Sequence, residues 1–117
     1  MRSDRDRLKD ILAAIDRIMA KTSEGRAAFE KDEMLQVWVL YHLQVVGEAA
    51  RALSSRFRTA YPDKMWSEAV GLRNILVHEY FELDNEEIWK VVELDLPDLR
   101  HRVEQVLRST DETESAM

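Results

Sequence analysis

The amino-acid sequence predicts an all-α fold, an antiparallel helical bundle of four to five helices. Three observations carry this. Apolar residues recur at three- and four-residue spacing over long stretches, as one face of a helix requires. Helix-starting residues, Asp32 and Asp84, stand directly before such stretches. Only three Gly and two Pro occur in 117 residues, too few for the tight turns of an all-β domain.

The first helix is expected from about Asp4 to Ala20, because Leu8, Ile11, Leu12, Ile15, Ile18 and Met19 form one apolar stripe. Gly25 supplies the break after it, and Phe29 tucks back onto the core from a short connecting turn. The second helix is expected to start at an Asp32 N-cap and run to about Phe57, roughly 40 Å at 1.5 Å per residue. Its residues between Met34 and Val46 are apolar on nearly every side, so it needs neighbours on more than one face. Tyr61-Pro62-Asp63 is a stop. The third helix is expected from a Ser67 N-cap to about Tyr80. The fourth opens on the capping box Asp84-Asn85-Glu86-Glu87, with Pro97 kinking or restarting it. Residues 1–108 thus read as one domain and 109–117 as an acidic, disordered tail.

Composition narrows the function. Hydrophobic residues make up 45% and charged residues 34% of the chain, the balance of a soluble globular protein. There is no cysteine, which excludes disulfides, thiolate catalysis and cysteine-based zinc sites. The segment from Met1 to Asp10 is charged and has no apolar stretch like that of a secretory signal. No apolar run approaches the ~18 residues of a membrane span, so the expected location is the cytoplasm. The net charge of -6 weighs against a nucleic-acid partner. It is unevenly spread, however, with Arg51, Arg56, Arg58, Lys64 and Arg73 in the middle third. A local basic patch and an ordinary mixed surface both fit that distribution.

The third helix holds the residues that can do chemistry. Leu72, Ile75 and Leu76 share a face expected to be core, while Val77 and Phe81 lie nearly opposite, with Asn74 and His78. Two apolar faces on one short helix call for a second packing surface, most simply a homodimer interface. Arg73 and His78 are about 140° apart on an ideal helix. They converge only if the helix loosens near His78 or a second copy contributes. His42, inside the apolar second helix, is expected to be a satisfied core or interface histidine, and His101, between Arg100 and Arg102, a surface one. No metal-ligand spacing and no glycine-rich phosphate loop occur, so neither metal nor cofactor is expected.

The octet Arg73-Asn74-Ile75-Leu76-Val77-His78-Glu79-Tyr80 resembles the R-x4-H-x-Y motif of HepT-like proteins, a branch of the HEPN superfamily. The likeness extends to Val46-Gly47-Glu48-Ala49-Ala50, similar to that family's G-E-A segment. Tyr61-Pro62, Trp66, Phe81, Asp84, Trp89, Asp95-Leu96-Pro97 and Leu99 also follow the family's order, so residues 4–107 are covered. The resemblance implies a HEPN-like homodimer and a metal-independent endoribonuclease toxin with its site in the dimer cleft. It maps the active residues onto Arg73 and His78. It also implies an RNA substrate and a minimal nucleotidyltransferase antitoxin that silences the toxin by transferring AMP to Tyr80. The chemistry is coherent: an imidazole of ordinary pKa near 6.5 can take a proton from a ribose 2′-hydroxyl, and a guanidinium can hold the scissile phosphate. Glu48 is expected to orient Arg73, and Asn74 is either a supporting polar group or an interface contact. The alternative is a non-catalytic helical partner of a nucleotidyltransferase, which the acidic net charge favours and the intact Arg73, His78 and Tyr80 disfavour.

Overall fold

The computed structural model describes residues 2–78 and 84–116, with side chains through Thr110. All regular structure among the described residues is helical. The order is α1 (Asp4–Lys21), α2 (Arg26–Lys31), α3 (Glu33–Arg51), α4 (Ser55–Ala60), α5 (Lys64–His78), α6 (Asn85–Lys90), a π-helical turn (Val91–Asp95) and α7 (Leu96–Ala116). The all-α bundle is therefore as expected. α3 is the central rod, packed between α1 and α5, and α7 closes on α1.

α1 begins where Ser3 and Asp6 form a reciprocal capping box and ends at Thr22, whose hydroxyl donates to the Ile18 carbonyl at 2.9 Å. Its expected stripe is the buried one: Leu8, Ile11, Ile15 and Ile18 have no exposed surface. Each such side chain contributes roughly 1.5–3 kcal/mol through burial. Gly25, at φ 97°, makes the turn into α2, a conformation glycine adopts without steric cost. Phe29 is fully buried against Trp89, ring centroids 5.4 Å apart, and sits on a short helix rather than a turn.

Two boundaries differ from the sequence reading. α3 starts on the Asp32 cap, which accepts from the Leu35 N–H at 3.1 Å, but it stops at Arg51, not near Phe57. Ser54 breaks it: the Asp4 carboxylate accepts from the Ser54 N–H at 2.7 Å and from its hydroxyl at 2.6 Å. The Ser54 oxygen in turn caps α4 by accepting from the Phe57 N–H. The expected 40 Å rod is thus two helices, divided by a cap whose anchor lies 50 residues away. α5 starts at Lys64 rather than at Ser67. Asp63 takes the Met65 N–H on one oxygen and Arg102 of α7 on the other, both at 2.9 Å. Ser67 instead donates back to the Lys64 carbonyl.

Asp84 caps α6 as expected, through the Glu86 N–H. Pro97 is accommodated by the π-helical turn, in which the Leu96 N–H reaches back five residues to the Val91 carbonyl. A proline has no N–H to offer, and its ring presses on the carbonyl four residues before it. The widened turn relieves both problems before α-helix resumes. α7 continues through the stretch read as the tail, and Thr110 accepts from Arg5 of α1 at 2.8 Å.

Candidate functional site

α3 and α5 cross at Gly47, where the candidate site is built. A Cβ at Gly47 would overlap the Cβ of Arg73 and stand 2.9 Å from the Ala69 carbonyl oxygen. Only glycine lets the two backbones come this close. The contact fixes which side of α5 faces inward: Trp66, Ala69 and Leu76 are buried, and Arg73 lies on the same side, partly buried. Ile75, expected in the core, is 45% exposed, and Leu72 is only half-buried. The inner face is set by the close approach to α3 and not by the sum of apolar residues on α5.

Arg73 is held at this crossing from two sides. Its Nε donates to Glu48 of α3 in a close ion pair, and its Nη1 donates to Asn74 Oδ1 at 3.1 Å. The Arg73–Glu48 ion pair is thus present, and Asn74 is within hydrogen-bond reach of the same guanidinium. Two bonds fix the plane of the guanidinium, which then presents its remaining N–H edge in a defined direction.

His78 is the last described residue of α5 and is exposed. α5 is regular α-helix up to it, so the five-residue offset keeps Arg73 and His78 about 140° apart. One chain does not bring them to a single point. The expectations for Tyr80 and Phe81 fall outside the described residues. His42 is buried, with Nδ1 2.8 Å from the Trp38 carbonyl, the satisfied histidine expected of that helix. His101 is exposed. Of the basic residues in the middle third, Arg58 caps the carbonyl end of α3 through Ala50 and Arg51, while Arg51, Arg56 and Lys64 are exposed. Among the described residues no group of three His, Asp or Glu is placed to hold a metal ion.

Beside Arg73 lies an uncovered apolar face. Met34 (83% exposed), Val37, Trp38 and Tyr41 (62% exposed) follow one another along α3 at helical spacing, and Glu48 continues the same line. Val77 of α5 is exposed on the adjoining side. Sequence reasoning saw the apolar excess on α3 and α5. It did not see why Gly47 is needed, although a glycine inside a helix of strong formers is a signal of close backbone approach.

On the opposite side of α5, Asp95 of the π-helical turn stands at the mouth of an apolar groove. Desolvation there, together with Glu68 of α5 and Asp98 of α7, holds its carboxyl above the usual carboxylate range; Lys64 lines the same groove. A carboxyl with a raised native pKa binds its proton more tightly folded than unfolded, so stability falls as pH rises through that pKa. Asp95→Asn should therefore stabilise the chain at pH 7, on the order of a few tenths of a kcal/mol given the screening of an exposed side chain. The gain should vanish below pH ~3.8, where both forms are protonated. Thermal unfolding across pH 3 to 8 checks the sign.

Fold and site together define an all-α, HEPN-like bundle that displays an anchored arginine and, five residues on, a histidine from one helix. The chain belongs to the ribonuclease HepT-like family, whose family model matches residues 11–106. It is 37% identical over 100 residues to the Methanocaldococcus jannaschii protein named "Putative RNase MJ1380", covering 85% of this chain and 92% of that one. It is 34% identical over 108 residues to the Thermococcus cleftensis protein named "Probable ribonuclease HepT", covering 90% and 96%. No solved structure matches the chain. No helix among the described residues is long and apolar enough to cross a membrane.

Proposed function

We propose that this chain is an endoribonuclease that cleaves RNA without a metal ion, as a homodimer, with Arg73 and His78 as the reacting pair. The observation that carries the reading is Arg73 itself. It is pinned by Glu48 and Asn74 at the edge of an uncovered apolar face, on the helix whose last described residue is the exposed His78. A guanidinium so fixed is suited to a phosphodiester, and an exposed imidazole to moving the 2′-hydroxyl proton. The relatives' names, which refer to RNase activity, point the same way. Incubating the purified chain with RNA in excess chelator is the direct test. Cleavage is expected, and a requirement for added divalent metal would refute the metal-free mechanism.

The 140° between Arg73 and His78 is what a two-fold axis resolves, since Arg73 of one copy can face His78 of the other across a shared cleft. The exposed stripe on α3 and Val77 supply the apolar contact area. Sedimentation at micromolar concentration should show two chains per particle. Val37→Glu, which puts a charge in the middle of the stripe, should give monomers that no longer cleave RNA. A monomeric parent chain would rule out the shared cleft.

The regulatory half of the reading concerns Tyr80, two residues beyond His78. We place this chain as the toxin of a toxin–antitoxin pair, silenced when a minimal nucleotidyltransferase transfers AMP from ATP to the Tyr80 hydroxyl and releases pyrophosphate. The added phosphate would compete for the guanidinium that binds substrate phosphate. Intact-mass analysis with that partner and ATP should show one adenylyl addition, mapping to Tyr80. Tyr80→Phe should remain toxic and escape silencing. Adenylylation of another residue would overturn the assignment. The second reading, a non-catalytic partner of the nucleotidyltransferase, has the net charge of -6 in its favour, and it predicts no cleavage of any RNA.

A further inference from the structure

The groove at Asp95 is separate from the Arg73 face. It runs between α5 and the Val91–Leu99 stretch and encloses about 510 Å³. Leu72, Ile75, Leu96 and Leu99 line it, and Ile75 is 45% exposed. Three carboxylates line it, Glu68 of α5, Asp95 of the π-helical turn and Asp98 of α7, while α3 contributes the apolar Leu43 and Val46. Elsewhere several acidic side chains are paired, Asp63 with Arg102, Asp16 and Glu104 with Arg100, Glu48 with Arg73 and Glu30 with Arg26, while others such as Glu24, Glu33 and Glu87 stand singly on the exposed surface. Among the described residues these three form no salt bridge, although Lys64 lines the same groove.

We propose that this groove docks a basic amphipathic helical segment of another protein. Its apolar side chains would lie on Leu72, Leu96 and Leu99 and its Lys or Arg side chains among Glu68, Asp95 and Asp98. The trough between two helices has the shape that receives a third helix by its apolar face. Ile75, 45% exposed, leaves the apolar lining open to solvent, which suits a chain segment laid along it. The unpaired carboxylates select a cationic partner. RNA is disfavoured, because the rim repels phosphates. A two-fold contact of this face with itself is disfavoured, because it would set Glu68, Asp95 and Asp98 against the same three carboxylates.

The probe is a fluorescein-labelled amphipathic helix built of Leu and Lys, read by fluorescence anisotropy, beside a Leu/Glu peptide of the same pattern. The Leu/Lys peptide should bind the parent chain, and the Leu/Glu peptide should not. Charge removal without change of shape, E68Q/D95N/D98N, should weaken binding about tenfold or more, since several desolvated charge pairs are lost. E24Q/E33Q/E87Q, which removes the same charge from exposed positions elsewhere, should change it less than about twofold, as expected of distant screened charges. Gly71→Leu fills the groove at a point where an added Cβ meets nothing within 4 Å, so the variant should fold and lose binding. Equal loss in both triple variants would reduce the effect to net charge and overturn the proposal. So would absence of Leu/Lys binding, binding that survives Gly71→Leu, or a Gly71→Leu chain that sediments at a different oligomeric state, which would make a second copy the occupant. None of these readouts depends on RNA cleavage.

Discussion

His78→Ala is expected to abolish RNA cleavage while leaving helical content and oligomeric state unchanged. His78 is exposed at the end of α5 and contributes nothing to the buried core, so its removal has little effect on folding. Proton transfer by a positioned side chain is worth about 10²–10⁴-fold in rate, and the other two histidines are placed elsewhere, His42 buried on α3 and His101 on α7. Arg73→Ala should lower the rate by a comparable factor, about 10²–10³ for the loss of one preorganised charge donor. Arg73→Lys should rescue poorly, because a lysine ammonium cannot reproduce the planar fork that Glu48 and Asn74 hold. Glu48→Gln should give a milder loss, since the guanidinium keeps its charge and loses part of its alignment. Single-turnover cleavage of a labelled RNA, with circular dichroism on the same samples, measures all four. Cleavage that survives His78→Ala would remove the histidine from the mechanism.

The second large effect comes from a pair of glycines. Gly47→Ala places a methyl group onto Arg73 Cβ and against the Ala69 carbonyl, so the central α3–α5 crossing must open. Overpacking of this kind costs about 1–3 kcal/mol, which exceeds the gain of about 1 kcal/mol from replacing a helical glycine by alanine. Gly71→Ala, on the same α5 but facing open space, should show the propensity gain alone and stabilise the chain by about 0.5–1 kcal/mol. The same substitution thus carries opposite signs at two positions. Gly47→Ala should also lower RNA cleavage by shifting Arg73 away from Glu48, and Gly71→Ala should leave it intact. Urea unfolding of the two variants decides the matter, and a stabilised Gly47→Ala would show that the crossing is not tightly packed.

These two glycines also mark how far the amino-acid sequence can be read. Periodicity located α1 to within a residue at its C-terminal end and predicted its buried face, because Leu8, Ile11, Ile15 and Ile18 answer to a rule local to one helix. Caps made by nearby side chains, Asp32 and Asp84, were legible for the same reason. The break at Ser54 was not, since Asp4 enforces it from across the molecule. Ser67 was mistaken for a cap because Ser is a good one, whereas Asp63 one turn earlier had both the Met65 N–H and Arg102 to satisfy. Of the candidate site, the Arg73–Glu48 pair and the buried His42 were foreseen. The exposure of Ile75 was not, because a close backbone approach, which hydrophobicity does not encode, decides how α5 is rotated.

The first turn of α1 carries a consequence for how the chain is made. Asp4 reaches Ser54, and its neighbour Arg5 reaches Thr110, a contact spanning 105 residues. α1 can pair with α3 once the first half of the chain has left the ribosome, but the bond to Thr110 waits for nearly the last turn of α7. Synthesis at about 5–20 residues per second therefore leaves a half-built bundle for several seconds, with the face of α1 that α7 will cover open to solvent. A nascent chain at that stage is a target for holdase chaperones and for aggregation. Truncation before Leu99, which removes the buried Leu99, Val103 and Val106, should trap the molecule there. Completion of the last helix is the step that turns a collapsing intermediate into a closed protein.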